Sequence, residues 1–201
     1  MSFVLIVISY LIGSVPFSRI FPSVLKKRDV QREGTGNVGA SNALIVAGKR
    51  AGLLALLGDT GKGIVVVLAA RYFGSPDWAV AACALAAIIG HDFSIFLRFQ
   101  GGKGVATFGG TLIALDPFFT VLVVLLWIFV MLVTRYFIPS TILVICFVPV
   151  LMWMGSWRGE YIIFGVINAA LGIWAHRANL LLFFSGRELT IQETLAKHFK
   201  K

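Results

Sequence analysis

Seven apolar runs, at about 3 to 25, 51 to 73, 78 to 99, 104 to 115, 118 to 134, 137 to 155 and 161 to 183, are separated by Gly, Pro or charged residues. A bilayer core needs about 20 apolar residues per spanning helix, so this pattern predicts an all-α, polytopic integral membrane protein of about seven helices. Residues 104 to 115 are short; if they do not cross, they pair with the next run as a re-entrant hairpin and five full spans remain. Composition agrees: 58% of the 201 residues are hydrophobic and 13% charged, which excludes both a soluble globular domain and a disordered chain. A single membrane-embedded domain over residues 1–201 is expected, with the first run a membrane helix and not a removable signal peptide, because no basic residue precedes it.

The formal charge of +9 would suggest nucleic acid in a soluble protein; here it reports topology, and no nucleic-acid partner is expected. With the N-terminus outside, Lys26, Lys27, Arg28, Arg32, Lys49, Arg50, Arg98, Lys103, Arg135, Arg177, Arg187, Lys197, Lys200 and Lys201 all fall inside, against Arg71 and Arg158 outside. The expected orientation is therefore N-out and C-in. The tail from Glu188 to Lys201 sets Leu189, Ile191, Leu195 and Phe199 among charges, as an amphipathic segment on the inner surface would. Cys83 and Cys146 lie within apolar runs and show no ligand spacing; they are read as packing residues, and no metal site is expected.

Four polar clusters interrupt the apolar pattern, and the predicted topology gathers them toward the cytoplasmic face. The first holds Gly34, Thr35, Gly36, Asn37, Gly39, Ser41 and Asn42. Its G-x-G-x-x-G spacing is not a dinucleotide fingerprint, since no strand precedes it, but glycines let backbone amides approach an anion. The second places Asp59 and Lys62 one helical turn apart, as an ion pair fixing helix packing or as part of an anion pocket. The third joins His91 to the loop Gly101, Gly102, Lys103, Gly104 with Thr107 following, so that amides and an ammonium meet at a helix N-terminus. The fourth sets His176 and Asn179 on one helix face at i, i+3.

Gly13-Ser-Val-Pro-Phe17, Gly34 through Asn42, Asp59-x-x-Lys62-Gly63, Gly90-His-x-Phe93, Gly101 through Thr107 and His176-Arg-x-Asn179 stand in one order along nearly the whole chain. In this they resemble the bacterial acyl-phosphate:glycerol-3-phosphate acyltransferases, the PlsY family. The resemblance implies acyl transfer from acyl phosphate to the 1-hydroxyl of sn-glycerol 3-phosphate, giving lysophosphatidate and inorganic phosphate for phospholipid biosynthesis. It implies a bacterial inner-membrane location with the site facing the cytoplasm, no cofactor, membrane lipid as a partner, and an upstream acyl-phosphate-forming enzyme.

By the same resemblance Thr35, Lys103, His176 and Asn179 are the expected catalytic residues. Gly34, Gly36, Asn37, Gly39, Ser41, Asn42, Asp59, Lys62, His91, Gly101, Gly102, Gly104 and Thr107 are expected to bind substrate or phosphate. The chain departs from the family pattern where Gln31, Ile45, Gln100 and Leu182 replace cations, where Ser94 replaces a proline, and where Thr35 replaces a serine. These departures leave open a paralogue with another phosphorylated acceptor. Lys62 and Arg19 within apolar runs also suit a transporter or channel for an organic phosphate. No H-x-x-x-x-D pair is present, because Phe96 and Leu181 stand at the fifth position after His91 and His176, and there is no G-x-S-x-G elbow. Direct attack by the acceptor hydroxyl without an acyl-enzyme is therefore expected.

Overall fold

The structure, a computed structural model, describes residues 1–199; Lys200, Lys201 and the Phe199 side chain, which entered the charge count and the amphipathic tail above, lie outside the described residues. The described residues form helices and no strand. The described chain divides into two compact units between Pro117 and Phe118.

The first unit contains α1 (Ser2–Ser14), α2 (Phe17–Lys26), α3 (Ala40–Ala47), α4 (Lys49–Tyr72), α5 (Asp77–Asp92), a 3-10 turn (Ile95–Leu97) and α6 (Val105–Leu115). The second contains α7 (Pro117–Thr134), α8 (Phe137–Met154), α9 (Gly159–Ala175), α10 (Arg177–Phe184) and α11 (Ile191–Phe199). Five segments are long and apolar enough to cross a membrane: Ser2–Lys26, Lys49–Tyr72, Asp77–Leu97, Pro117–Thr134 and Phe137–Met154. A sixth is added if Gly159–Ala175 and Arg177–Phe184, bent by 64°, count as one. The apolar helix α6 has 11 residues, about 16 Å of rise, half of a hydrocarbon core.

Close helix approach in the first unit depends on small residues, as expected where lipid provides no hydrophobic drive between helices. α1 packs on α5 and α4 on α6. A Cβ at Gly63 would collide with the Thr107 carbonyl, and one at Gly110 with the Thr60 carbonyl. Gly90 meets the Tyr10 carbonyl in the same way, and Gly13 the backbone of Ala87.

The first apolar run, expected as one helix, is broken at Val15 and Pro16. Pro16 has no N–H, and Val15 turns extended with ψ 117°. The Arg19 and Ile20 amides both donate to the Pro16 carbonyl at 2.9 Å, so the Val15 carbonyl leaves the helical ladder; the Phe17 amide donates to it at 3.1 Å. Lys62 Nζ donates to it at 3.1 Å.

Arg71, counted above only as an outward charge, reaches the end of α6. Its guanidinium donates to the carbonyls of Ala114 at 2.7 Å and Leu115 at 3.2 Å. Those carbonyls end a helix and have no intrahelical donor, and a cation there complements the helix dipole.

In the second unit α8 packs on α9, and Trp127 Nε1 of α7 donates to Thr141 Oγ1 of α8 at 3.0 Å. The tail expected to be amphipathic is helical from Ile191 and is capped by Thr190. The Thr190 amide and hydroxyl donate to Glu193 Oε2 at 2.8 and 2.7 Å, and these bonds hold the Glu193 carboxyl below the usual glutamate range. Cys83 is buried, Cys146 half-buried, and both are free thiols.

Candidate active site

The loop joining α2 to α3 is organised by Asn42, which is 1% exposed on the first turn of α3. Its Oδ1 accepts from the Thr35 amide at 2.8 Å; its Nδ2 donates toward the carbonyls of Val30, Asn37 and Glu33 at 2.8, 3.0 and 3.1 Å. Gly34 and Gly36 take φ of +65° and +73°, and a Cβ at Gly34 would strike Asn42 Oδ1. Asn42 thus has its polar atoms committed to holding the loop, while Thr35 and Ser41 are exposed on it. Asn37 donates its amide to Thr35 Oγ1 at 3.4 Å.

The glycine-rich loop after α5 is tied to the end of that helix. Gly101 N–H donates to the Asp92 carbonyl and Gly102 N–H to the His91 carbonyl, each at 3.0 Å. These two amides are therefore directed at protein, although the sequence reading expected both at a phosphate. The amides left for an anion are those of the first turn of α6, which begins directly after Gly104, φ +69°. Lys103, half-buried, stands just before that turn. Thr107 is fully buried in α6.

The two loops meet. Gln31 Nε2 donates to the Gln100 carbonyl at 3.2 Å, and the Val38 carbonyl lies against Gly102. Two positions where the family pattern carries cations are thus neighbours, and an amide contact stands between them.

Behind the loops lies a buried polar group that the sequence showed only in part. Asp59 and Lys62 pair at 3.0 Å, their side chains each 1% exposed. Ser18 Oγ donates to Asp59 Oδ2 at 2.5 Å. Lys62 Nζ is 2.8 Å from His91 Nδ1, which lies 3.5 Å from Asp59 Oδ1. An ammonium has no acceptor, so Nδ1 accepts and a neutral His91 ring carries its proton on Nε2. His91, expected at the phosphate, is buried with its Nε2 edge against Gly102. Asp92 is buried beside it, its Oδ1 without a hydrogen-bond donor and its carboxyl group facing Gly104 at the start of α6. Ser94 Oγ closes the group by donating to the Ser14 carbonyl at 2.6 Å.

In the second unit, His176, expected with Asn179 on one face of a continuous helix over the last apolar run, forms the hinge between α9 and α10. It is 4% exposed, and its Nδ1 is 2.9 Å from the Gly172 carbonyl. A carbonyl can only accept, so Nδ1 carries the proton and Nε2 is the basic nitrogen of the neutral ring. Asn179 follows on the first turn of α10. Among the described residues no three His, Cys, Asp or Glu side chains gather as a metal-ligand set.

Comparison with known proteins points in one direction. The family model described as glycerol-3-phosphate acyltransferase matches residues 3–186. A glycerol-3-phosphate acyltransferase of Syntrophomonas wolfei is 35% identical over 189 residues, covering 94% of this chain and 96% of that one. One of Rubrobacter xylanophilus is 39% identical over 184 residues, 92% of each chain. The crystal structure of PlsY, an integral membrane glycerol 3-phosphate acyltransferase, in its glycerol 3-phosphate form superposes with a TM-score of 0.90 at 30% identity, over 99% of both chains. Its lysophosphatidic acid form gives 0.86 at 30% identity, over 96% of this chain and 98% of that one.

Proposed function

The chain belongs to the glycerol-3-phosphate acyltransferase family, and from that membership we propose its particular reaction, transfer of an acyl group from acyl phosphate to the 1-hydroxyl of sn-glycerol 3-phosphate. The products are lysophosphatidate and inorganic phosphate. The observation that carries the reading is the meeting of two loops, Gln31 with Gln100 and Val38 with Gly102, directly before Lys103 and the first turn of α6. Helix-terminal amides and an ammonium are the donors that phosphate oxygens require.

Acyl phosphate is a mixed anhydride, so the protein needs to supply positioning and charge stabilisation more than a nucleophile. The acceptor hydroxyl oxygen attacks the acyl carbon, and the bond from that carbon to the phosphate oxygen breaks with its electron pair leaving on phosphate. The hydroxyl proton passes to His176 Nε2 or to the departing phosphate. Lys103 neutralises phosphate charge, Thr35 and Ser41 offer hydroxyls, and Asn179 orients the acceptor. The acyl tail lies among lipid-facing helices, where each buried CH₂ contributes about 0.8 kcal/mol. The cation distribution supports N-out, C-in insertion in the bacterial inner membrane with this chemistry at the cytoplasmic face.

Purified protein in vesicles, given acyl phosphate and glycerol 3-phosphate, is expected to release lysophosphatidate and phosphate in equal amounts. A Lys103→Ala variant that kept wild-type turnover would remove the centre of the reading. Uptake of labelled glycerol 3-phosphate without acylation would replace it with transport.

A further inference from the structure

We propose that Asp59, Lys62 and His91 are a buried positioning relay for the Gly101–Gly104 loop, with His91 the member that sets the loop's register and so its affinity for a phosphate group. The inference rests on the phosphate-binding reading of that loop.

Three features converge on His91. Its Nδ1 is fixed at 2.8 Å by Lys62, whose own position is fixed by Asp59 and by the Val15 carbonyl. Its carbonyl takes the Gly102 amide at 3.0 Å. Its Nε2 edge occupies the place where a side chain on residue 102 would project, and the Val38 carbonyl of the other loop occupies the same place from its own side. Gly102 is therefore held between the His91 ring on α5 and the Val38 carbonyl of the first loop, and the ring sets its distance from α5. Because Gly101 and Gly102 spend their amides on α5, the anion-facing amides begin beyond them, and a shift at Gly102 moves Lys103 and the first turn of α6 together. His91 acts through that loop and is a positioning residue.

The two ring nitrogens permit a test that separates positioning from stability. Asn places an acceptor near the Nδ1 position and nothing at Nε2; Gln places a polar group near Nε2 and no acceptor for Lys62. Binding of sn-glycerol 3-phosphate to detergent-solubilised protein is measured by calorimetry, beside Tm and steady-state kinetics. His91→Asn is expected to keep Tm near that of the parent, to weaken binding and raise KM about tenfold, and to keep kcat within about threefold. His91→Gln is expected to lower Tm while holding affinity closer to the parent. Variants that fall together in both measures, failure to fold included, or that both bind like the parent, overturn the relay. If the parent binds glycerol 3-phosphate but forms no lysophosphatidate, the reaction fails while the relay is still decided by binding; a parent that neither binds nor turns over overturns both.

Discussion

Asp59 and Lys62 meet at 3.0 Å with side chains each 1% exposed, one helical turn apart on α4. A buried pair of this kind is costly to break on one side, because the remaining charge has no water to receive it. Lys62→Met is expected to destabilise by about 3–5 kcal/mol, and the Asp59→Leu/Lys62→Met double variant by less than the sum of the single changes. Unfolding in detergent, run as a double-mutant cycle, checks this; additive losses would show that the two charges are not coupled.

Asn42 satisfies one amide and faces three carbonyls. Asn42→Ala leaves the buried Val30 carbonyl and three part-buried groups without this partner, at about 1–3 kcal/mol for the buried one. Asn42→Asp retains the acceptor for Thr35 and loses the donors. The expected order of both Tm and affinity for glycerol 3-phosphate is parent, then Asp, then Ala. An alanine variant with parental affinity would show that the loop holds its shape unaided.

Gly109 and Gly110 are neighbours with opposite surroundings on α6. A Cβ at Gly109 has nothing within 4 Å, whereas one at Gly110 would collide with the Thr60 carbonyl of α4. Gly109→Ala is expected to be neutral or to stabilise by about 0.5–1 kcal/mol, as alanine does in a helix interior. Gly110→Ala is expected to separate the helices and lower Tm by several degrees. Equal Tm values for the two variants would exclude the close crossing.

Arg71 holds the end of α6 through two carbonyls. Arg71→Gln is expected to cost about 1–2 kcal/mol and to raise amide hydrogen exchange selectively at the C-terminal turn of α6. Unchanged exchange there, with the variant folded, would contradict the cap.

The Glu193 carboxyl is held low by the Thr190 amide and hydroxyl. A carboxyl whose folded pKa is depressed stabilises at pH values above its unfolded pKa, and this contribution is lost as pH falls through the folded value. Hydrogen exchange over residues 190–199 is expected to speed up on acidification through that window, and Glu193→Gln to remove the dependence.

Much of this was legible beforehand for physical reasons that operate within short stretches of chain. Spans follow from the length of hydrocarbon to be crossed, and the Asp59 and Lys62 pair from the pitch of a helix. The rest depends on partners distant in sequence. Lys62 is an obvious candidate for pairing, yet nothing in its neighbourhood shows that His91 and Val15 are its other partners. Arg71 looked like a loop charge because its acceptors lie on another helix. The helix Ala40–Ala47 was hidden inside a glycine-rich polar stretch, and the hinge at His176 inside an apolar run without Pro or Gly at the bend. Pro16 marks the break in the first run, but apolar residues continue on both sides of it and mask it in the pattern.

That break has a consequence for how the sequence can vary. A carbonyl without a helical partner and an ammonium in a spanning helix would each be unfavourable in lipid, and here each relieves the other across α1 and α4. Replacing Pro16 with a helix former would reclaim the Val15 carbonyl for the ladder and leave Lys62 with Asp59 and His91; replacing Lys62 would leave that carbonyl with the Phe17 amide alone. The break at Pro16 and the cation at Lys62 are thus linked, and any exchange at Lys62 must also answer the buried charge of Asp59.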